Sequence, residues 1–244
     1  MQLTDYFKAT RQPRYSIMFA LPLLLLYEGL AAAMSSSDAA GIRNGADVLL
    51  KTLFMGLGGK NGVAVFGVLL LGIGTWLVLR DHRKHPGRLR ASYLGLMLAE
   101  SVVYAAVLGT VVSTLASLLL SGQLAVVQEG SFNQLTFGSQ LVVSLGAGLY
   151  EELLFRVLLV SGLLALGLWL GWRKPVAIGV AILGSALIFS GFHYVGPFGD
   201  TLTLGSFTFR AVAGLVLSGL FVARGFGIVA WSHALYDVGI ALIQ

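Results

Sequence analysis

Eight ionisable residues stand inside long apolar runs of the chain: Glu28, Glu100, Glu151, Glu152, Arg156, His193, His233 and Asp237. An acid or an arginine at mid-membrane costs about 2.5–3.5 kcal/mol on insertion scales. Such groups are normally paired or face a water-filled cavity, and they tend to mark function. The densest cluster is Tyr150-Glu151-Glu152-Leu153-Leu154-Phe155-Arg156. On an α-helix Glu152 and Arg156 are i and i+4, with the acid N-terminal, the favourable order for an ion pair. Glu151 is rotated about 100° from Glu152. It faces the side of Ser144, Ala147 and Gly148, where small side chains admit another backbone or a substrate. One carboxylate is thus neutralised, and the other is left for general-base chemistry. The competing reading is a static three-residue cluster.

Two histidines add to this. His193 closes Phe189-Ser190-Gly191-Phe192-His193, and His233 begins His233-Ala234-Leu235-Tyr236-Asp237. His233 and Asp237 are i and i+4, so the acid can accept a ring N–H and fix the imidazole tautomer. A histidine held this way serves as metal ligand, general acid or oxyanion donor. His82 and His85, in RDHRKHPGRLR at 80–90, have a weak metal spacing. The cations around them favour a solvated loop.

The elements that must position these groups are membrane helices. Of 244 residues, 57% are hydrophobic and only 11% charged, with mean hydropathy +0.85. That excludes a disordered chain and disfavours a soluble enzyme. Seven apolar runs of spanning length are legible, near 15–34, 61–80, 91–120, 138–172, 175–195, 206–223 and 226–243. The predicted fold class is all-α: a polytopic helical membrane protein of about seven transmembrane helices, with the active site in a bundle cavity. Segment 47–58 is short and amphipathic and is expected in the membrane interface. The first run reads as an uncleaved span rather than a signal peptide. Cysteine is absent, which removes disulfides and thiolate metal sites.

Lysine and arginine set the expected orientation. With the N-terminus in the cytoplasm, 11 cations fall inside (Lys8, Arg11, Arg14, Arg80, Arg83, Lys84, Arg88, Arg90, Arg173, Lys174 and Arg224). Four fall outside (Arg43, Lys51, Lys60 and Arg210), and Arg156 lies within a span. In this topology His193 lies near the outer end of its helix and His233 in the inner half of its own. A shared site then needs broken or shifted helices, with Gly196-Pro197-Phe198-Gly199, Gly225 and Gly227 as the places for it.

Glu-Glu-x-x-x-Arg at 151–156, Phe-x-x-x-His at 189–193 and His-x-x-x-Asp at 233–237, in this order on successive spans, resemble the CPBP family of intramembrane proteases. That family includes the type II CAAX prenyl endopeptidases and bacteriocin-processing or Abi-like immunity proteins. The resemblance covers residues 138–244, the expected catalytic helical core, whereas residues 1–137 are expected to be N-terminal membrane helices without a matching motif. It implies Glu151 as the base that activates water, Glu152 with Arg156 as a supporting pair, and His193 holding the water. It implies His233 as oxyanion donor or ligand. The last motif often ends in Asn in this family, and Asp237 stands here as an acceptor. Two chemistries fit these residues: a divalent metal such as zinc held by Glu151, His193 and His233, or a metal-free base with two histidines.

The function expected is therefore an intramembrane endopeptidase, of metallo or glutamate type, hydrolysing a peptide bond of a membrane-associated or lipidated protein or peptide. Expected partners are membrane lipid and that substrate, without nucleic acid. The expected location is a prokaryotic cytoplasmic (inner) membrane. The competing class is a non-catalytic transporter or a maturation or immunity scaffold that uses the buried charges for protons or ions. No second half echoing the first, as transporters often show, is legible.

Overall fold

The computed structural model describes residues 3–34, 41–120, 132–196 and 199–243. Among them there is no strand, and seven helical stretches are long and apolar enough to cross a membrane. The chain starts with a short helix α1 (Leu3–Thr10) and the first span α2 (Pro13–Ala33), which carries Pro at its first turn and Pro22 inside. Then come α3 (Gly45–Gly58), α4 (Gly62–Lys84) and α5 (Ala91–Leu119). The fourth long stretch is composite: α6 (Phe137–Gly146), a π-helix (Ala147–Val160) and α7 (Ser161–Trp169). α8 (Lys174–Phe192), α9 (Leu204–Arg224) and α10 (Phe226–Ile243) complete the bundle.

Large apolar side chains such as Leu25, Leu57, Val68, Ile73, Leu118 and Val180 are exposed around the bundle. A chain whose helices show hydrocarbon outward buries its backbone polar groups within each helix and presents the rest to lipid. The interior holds what lipid would not solvate. α10 is the hub: it packs against α2, α5, α6, α9 and the π-helix.

The segment 47–58 is more than a surface helix. α3 buries Ala46, Asp47 and Leu50 and packs on both α4 and the π-helix. α4 turns back on it so tightly that a Cβ on Gly62 would lie 2.2 Å from the Phe54 carbonyl oxygen.

Two glycines set the start of α10. Gly225 has φ +85°, a left-handed conformation that strains L side chains. Gly227 lies against Ser16, and a Cβ there would sit 2.6 Å from the Ser16 carbonyl oxygen. Gly196, in the turn after α8, also has positive φ (+96°), while Pro197 and Phe198 lie outside the described residues. α10 consequently begins part-way up the bundle. Ile228 offers its carbonyl to Ser101 at 3.5 Å. Ser101 is ten residues into α5, about 15 Å from that helix's start.

The end of the bundle that carries α1 is sealed by a buried layer of Tyr6, Tyr15, Phe19, Tyr93, Met97 and Ile228. Beside it Arg224 binds Glu100 at 2.5 and 2.8 Å and Thr10 at 2.9 Å. Tyr6 donates to Glu100 at 2.6 Å. Burial, reinforced by that carboxylate, pushes the Tyr6 hydroxyl well above the ordinary tyrosine range, so it stays a donor.

Candidate functional site

The π-helix is the element that departs most from the sequence reading. A π-helix bonds i to i+5 and is rare beyond a single turn, commonly at functional sites. The 100° rotation expected between Glu151 and Glu152 belongs to an α-helix, so that part of the reading is corrected. Glu152 and Arg156 nevertheless meet, Oε1 to Nη1 at 3.1 Å, both fully buried. Glu151 parts from them, toward α3 and the end of α8.

Glycine lets the neighbours close in. A Cβ on Gly148 would lie 2.3 Å from the Ala230 carbonyl oxygen and 2.5 Å from the Ala234 Cβ, so the α10 backbone rests directly on the π-helix. A Cβ on Gly146 would lie 2.6 Å from Asn44 Cβ and 2.7 Å from the Tyr27 ring.

That second approach brings in a residue absent from the sequence motifs. Asn44 caps α3 by accepting from the Ala46 amide at 2.9 Å, and its side-chain amide donates to Glu151 Oε1 at 2.8 Å. A lone Asn before an apolar helix reads as an ordinary N-cap. Nothing in the sequence links it to a residue 107 positions away. Behind it stands a polar cluster: Glu28 with Arg43 at 2.7 Å and Lys51 at 3.0 Å, and Asp47 with Lys51 at 2.7 Å. Tyr27 donates to Asp47 at 2.7 Å, and Tyr150 donates to Glu28 at 3.0 Å. The lone acid Glu28 is thereby assigned to holding α3. Glu100 is assigned to the sealed end.

The second oxygen of Glu151, Oε2, has no protein hydrogen-bond partner and lies 4.0 Å from His193 Nε2. His193 is the first residue past α8, and its Nδ1 lies 2.9 Å from the Phe189 carbonyl oxygen. A carbonyl oxygen only accepts, so Nδ1 carries the hydrogen and neutral Nε2 presents a lone pair toward Glu151. Asp200 holds this turn by donating its backbone N–H to the His193 carbonyl at 2.9 Å, and Arg210 pairs with the Asp200 carboxylate.

His233 sits on the other side. Its Nδ1 is 2.7 Å from Glu152 Oε1, while Asp237 is 3.6 Å from Nε2, beyond hydrogen-bond length. The tautomer expected to be fixed by Asp237 is therefore fixed by Glu152. A contact across helices at 2.7 Å outcompetes the one along α10. Phe189 ties the histidines together: its ring centroid is 4.8 Å from that of His193 and 6.3 Å from that of His233. The depth conflict disappears because α10 starts high in the bundle. Arg156 lies over the same Phe189 ring, 4.4 Å from its centroid.

All six expected residues thus meet around Phe189 and the π-helix. Buried polar atoms concentrate here: Ser144 Oγ, Glu151 Oε2, Glu152 Oε2 and the three Arg156 nitrogens lack protein hydrogen-bond partners. His82 is exposed, and His85 turns to Asp81 at 3.1 Å, as in a solvated loop. A cleft of about 400 Å³ lined by Asp5, Arg14, Tyr15, Arg88 and Arg90 lies at the sealed end, away from these carboxylates.

Residues 133–239 match the family model of type II CAAX prenyl endopeptidases, Rce1-like. Over these residues the chain is similar to that family. The Rce1-like stretch contains Glu151, Glu152, Arg156, His193, His233 and Asp237, and it supports an intramembrane endopeptidase of the CAAX type in general. Neither the curated proteins nor the solved structures compared with the chain gave a match.

The metallo or glutamate type has to be argued from the donors of the Rce1-like core. Zinc binds His and carboxylate donors at about 2.0–2.2 Å, in sets of three or more with near-tetrahedral geometry. Glu151 Oε2 and His193 Nε2 offer two donors 4.0 Å apart. The third expected ligand, His233, is held by Glu152 through Nδ1 and keeps Nε2, with Asp237 3.6 Å from it. Among the described residues no group of three or more His, Asp or Glu is disposed to hold a metal ion. The donors as placed do not gather into one metal site, and no step below passes through one.

Proposed function

We propose that the chain is a glutamate-type intramembrane endopeptidase that hydrolyses a peptide bond of a membrane-associated protein or peptide. Its N-terminus lies in the cytoplasm and its bundle in the cytoplasmic membrane. The observation that carries this reading is the unshared Glu151 Oε2, facing the His193 Nε2 lone pair at 4.0 Å while Asn44 holds Oε1. Two acceptors at that separation suit the two hydrogens of one water, each about 3 Å away. The water's lone pair is then turned toward a substrate carbonyl.

Glu151 Oε2 takes one proton as the water oxygen bonds to the carbonyl carbon. The carbonyl π bond breaks to give a tetrahedral oxyanion. His233, with both ring nitrogens protonated, donates from Nδ1 to Glu152 and from Nε2 to that oxyanion. Collapse of the intermediate breaks the C–N bond, and the proton held by Glu151 passes to the leaving amine. Arg156 pairs with Glu152 and offsets the charge of the second carboxylate beside the base. Glu151→Gln keeps the size and the Asn44 contact but removes the base. Turnover should fall by about 10²–10⁴-fold with folding intact. Turnover near that of the wild type would rule the assignment out.

A further inference from the structure

The two ends of the bundle differ in charge and in closure, and together these differences decide which side of the membrane the site serves. The cationic segments gather at one end by direct contact. Arg14 donates to the Gly87 carbonyl at 3.1 Å and pairs with Asp81 at 3.5 Å. The Arg90 amide donates to Tyr15 at 3.0 Å, and Arg11 donates to the Val222 carbonyl at 3.0 Å. α1 and the 80–90 loop therefore share one face, with the α9–α10 corner set in behind α1. At the other end there are only four cations, Arg43, Lys51, Lys60 and Arg210, three of them paired with Glu28, Asp47 or Asp200. An excess of Lys and Arg, whatever acids lie beside them, marks the cytoplasmic side.

The site lies far from that basic face. Tyr27, which packs on Tyr150 next to Glu151, is 14 residues into α2, about 21 Å from its basic end. His193 is 19 residues from Lys174 at the basic end of α8, about 28 Å. Both heights fall in the distal half of a hydrocarbon layer about 30 Å thick.

Access follows the same direction. Between the site and the basic face stand the buried layer of Tyr6, Tyr15, Phe19, Tyr93, Met97 and Ile228 and the Arg224–Glu100 pair. Trp231 closes the gap by donating to the Phe19 carbonyl at 2.7 Å. On the far side exposure rises: 8% of the Glu151 side chain, 24% of that of His193, then 73% for Val195 and 66% for Leu202.

We propose that the Glu151–His193–His233 site opens to the extracytoplasmic face, so that its substrate is a peptide segment presented at or beyond the outer leaflet and not a protein in the cytoplasm. This rests on the endopeptidase reading for what is cut, but the side of opening stands on geometry and charge. The orientation can be measured without turnover because the chain contains no cysteine. Leu202→Cys and His82→Cys place single thiols beyond His193 and in the basic loop. Intact cells expressing each variant are treated with a membrane-impermeant maleimide, then permeabilised and treated again.

Labelling of Leu202→Cys on intact cells at least about tenfold above His82→Cys, with both labelled after permeabilisation, is the expected result. Preferential labelling of His82→Cys, or equal labelling of both before permeabilisation, overturns the proposal. Should Glu151→Gln retain activity while the labelling goes as expected, the endopeptidase reading fails and the orientation stands.

Discussion

Replacing Arg156 by alanine leaves Glu152 as a carboxylate with no exposed surface and only His233 beside it. The perturbation removes an ion pair of 3.1 Å and the guanidinium that lies 4.4 Å from the Phe189 centroid. Breaking a buried pair by deleting one partner costs about 3–5 kcal/mol. Loss of a desolvated cation–π contact adds up to about 2 kcal/mol. Two features pull the other way. His233 keeps its 2.7 Å contact with Glu152, and the Arg156 nitrogens have no protein hydrogen-bond partners, so their removal relieves a desolvation penalty. The net effect is expected at about 3 kcal/mol, or about 6–12 °C in Tm for a chain of this size. Thermal unfolding of the purified protein in detergent reads it. Glu152→Gln with Arg156→Gln removes both charges and should recover at least about half of the loss. An Arg156→Ala protein that melts within about 1 °C of the wild type would refute the pairing.

Asn44→Ser keeps an N-cap for α3 but is too short to reach Glu151. A hydrogen bond to a charged group is worth about 1.5–3 kcal/mol, so kcat should drop roughly 10–100-fold with KM and Tm little changed. An unchanged kcat would reduce Asn44 to a cap. Gly148→Ala pushes a methyl group into the Ala230 carbonyl and should cost about 1–3 kcal/mol in unfolding experiments. Gly162→Ala, with nothing within 4 Å, should be neutral or stabilising. Incubation with a strong zinc chelator should leave turnover unchanged. Loss of activity restored by added zinc would contradict the metal-free reading.

The seven spans were legible because lipid imposes apolar runs of fixed length, and the observed helices fall within a few residues of them. The site motifs were legible for the converse reason: Glu151, Glu152, Arg156, His193 and His233 are costly where they stand. The π-helix was not, because nothing in AGLYEELLFRVLLV separates an i to i+5 ladder from an ordinary helix. The Glu152–His233 contact and the height of α10 depend on close approaches at Gly148 and Gly227, which are properties of the packed bundle. Asn44 was hidden for the same reason. Its role is set by where α3 docks, and its residue type at a helix start is commonplace.

The central claim is that Glu151 and His193 act on one water. The measurement that tests it most directly is a double-mutant cycle on cleavage, with Glu151→Gln, His193→Gln and the double variant purified and checked for equal melting. Groups acting as one unit are strongly non-additive. The double variant is predicted to be no slower than the slower single variant, within about threefold. Losses that multiply across the cycle would mean that the two residues act separately, and would contradict the shared site.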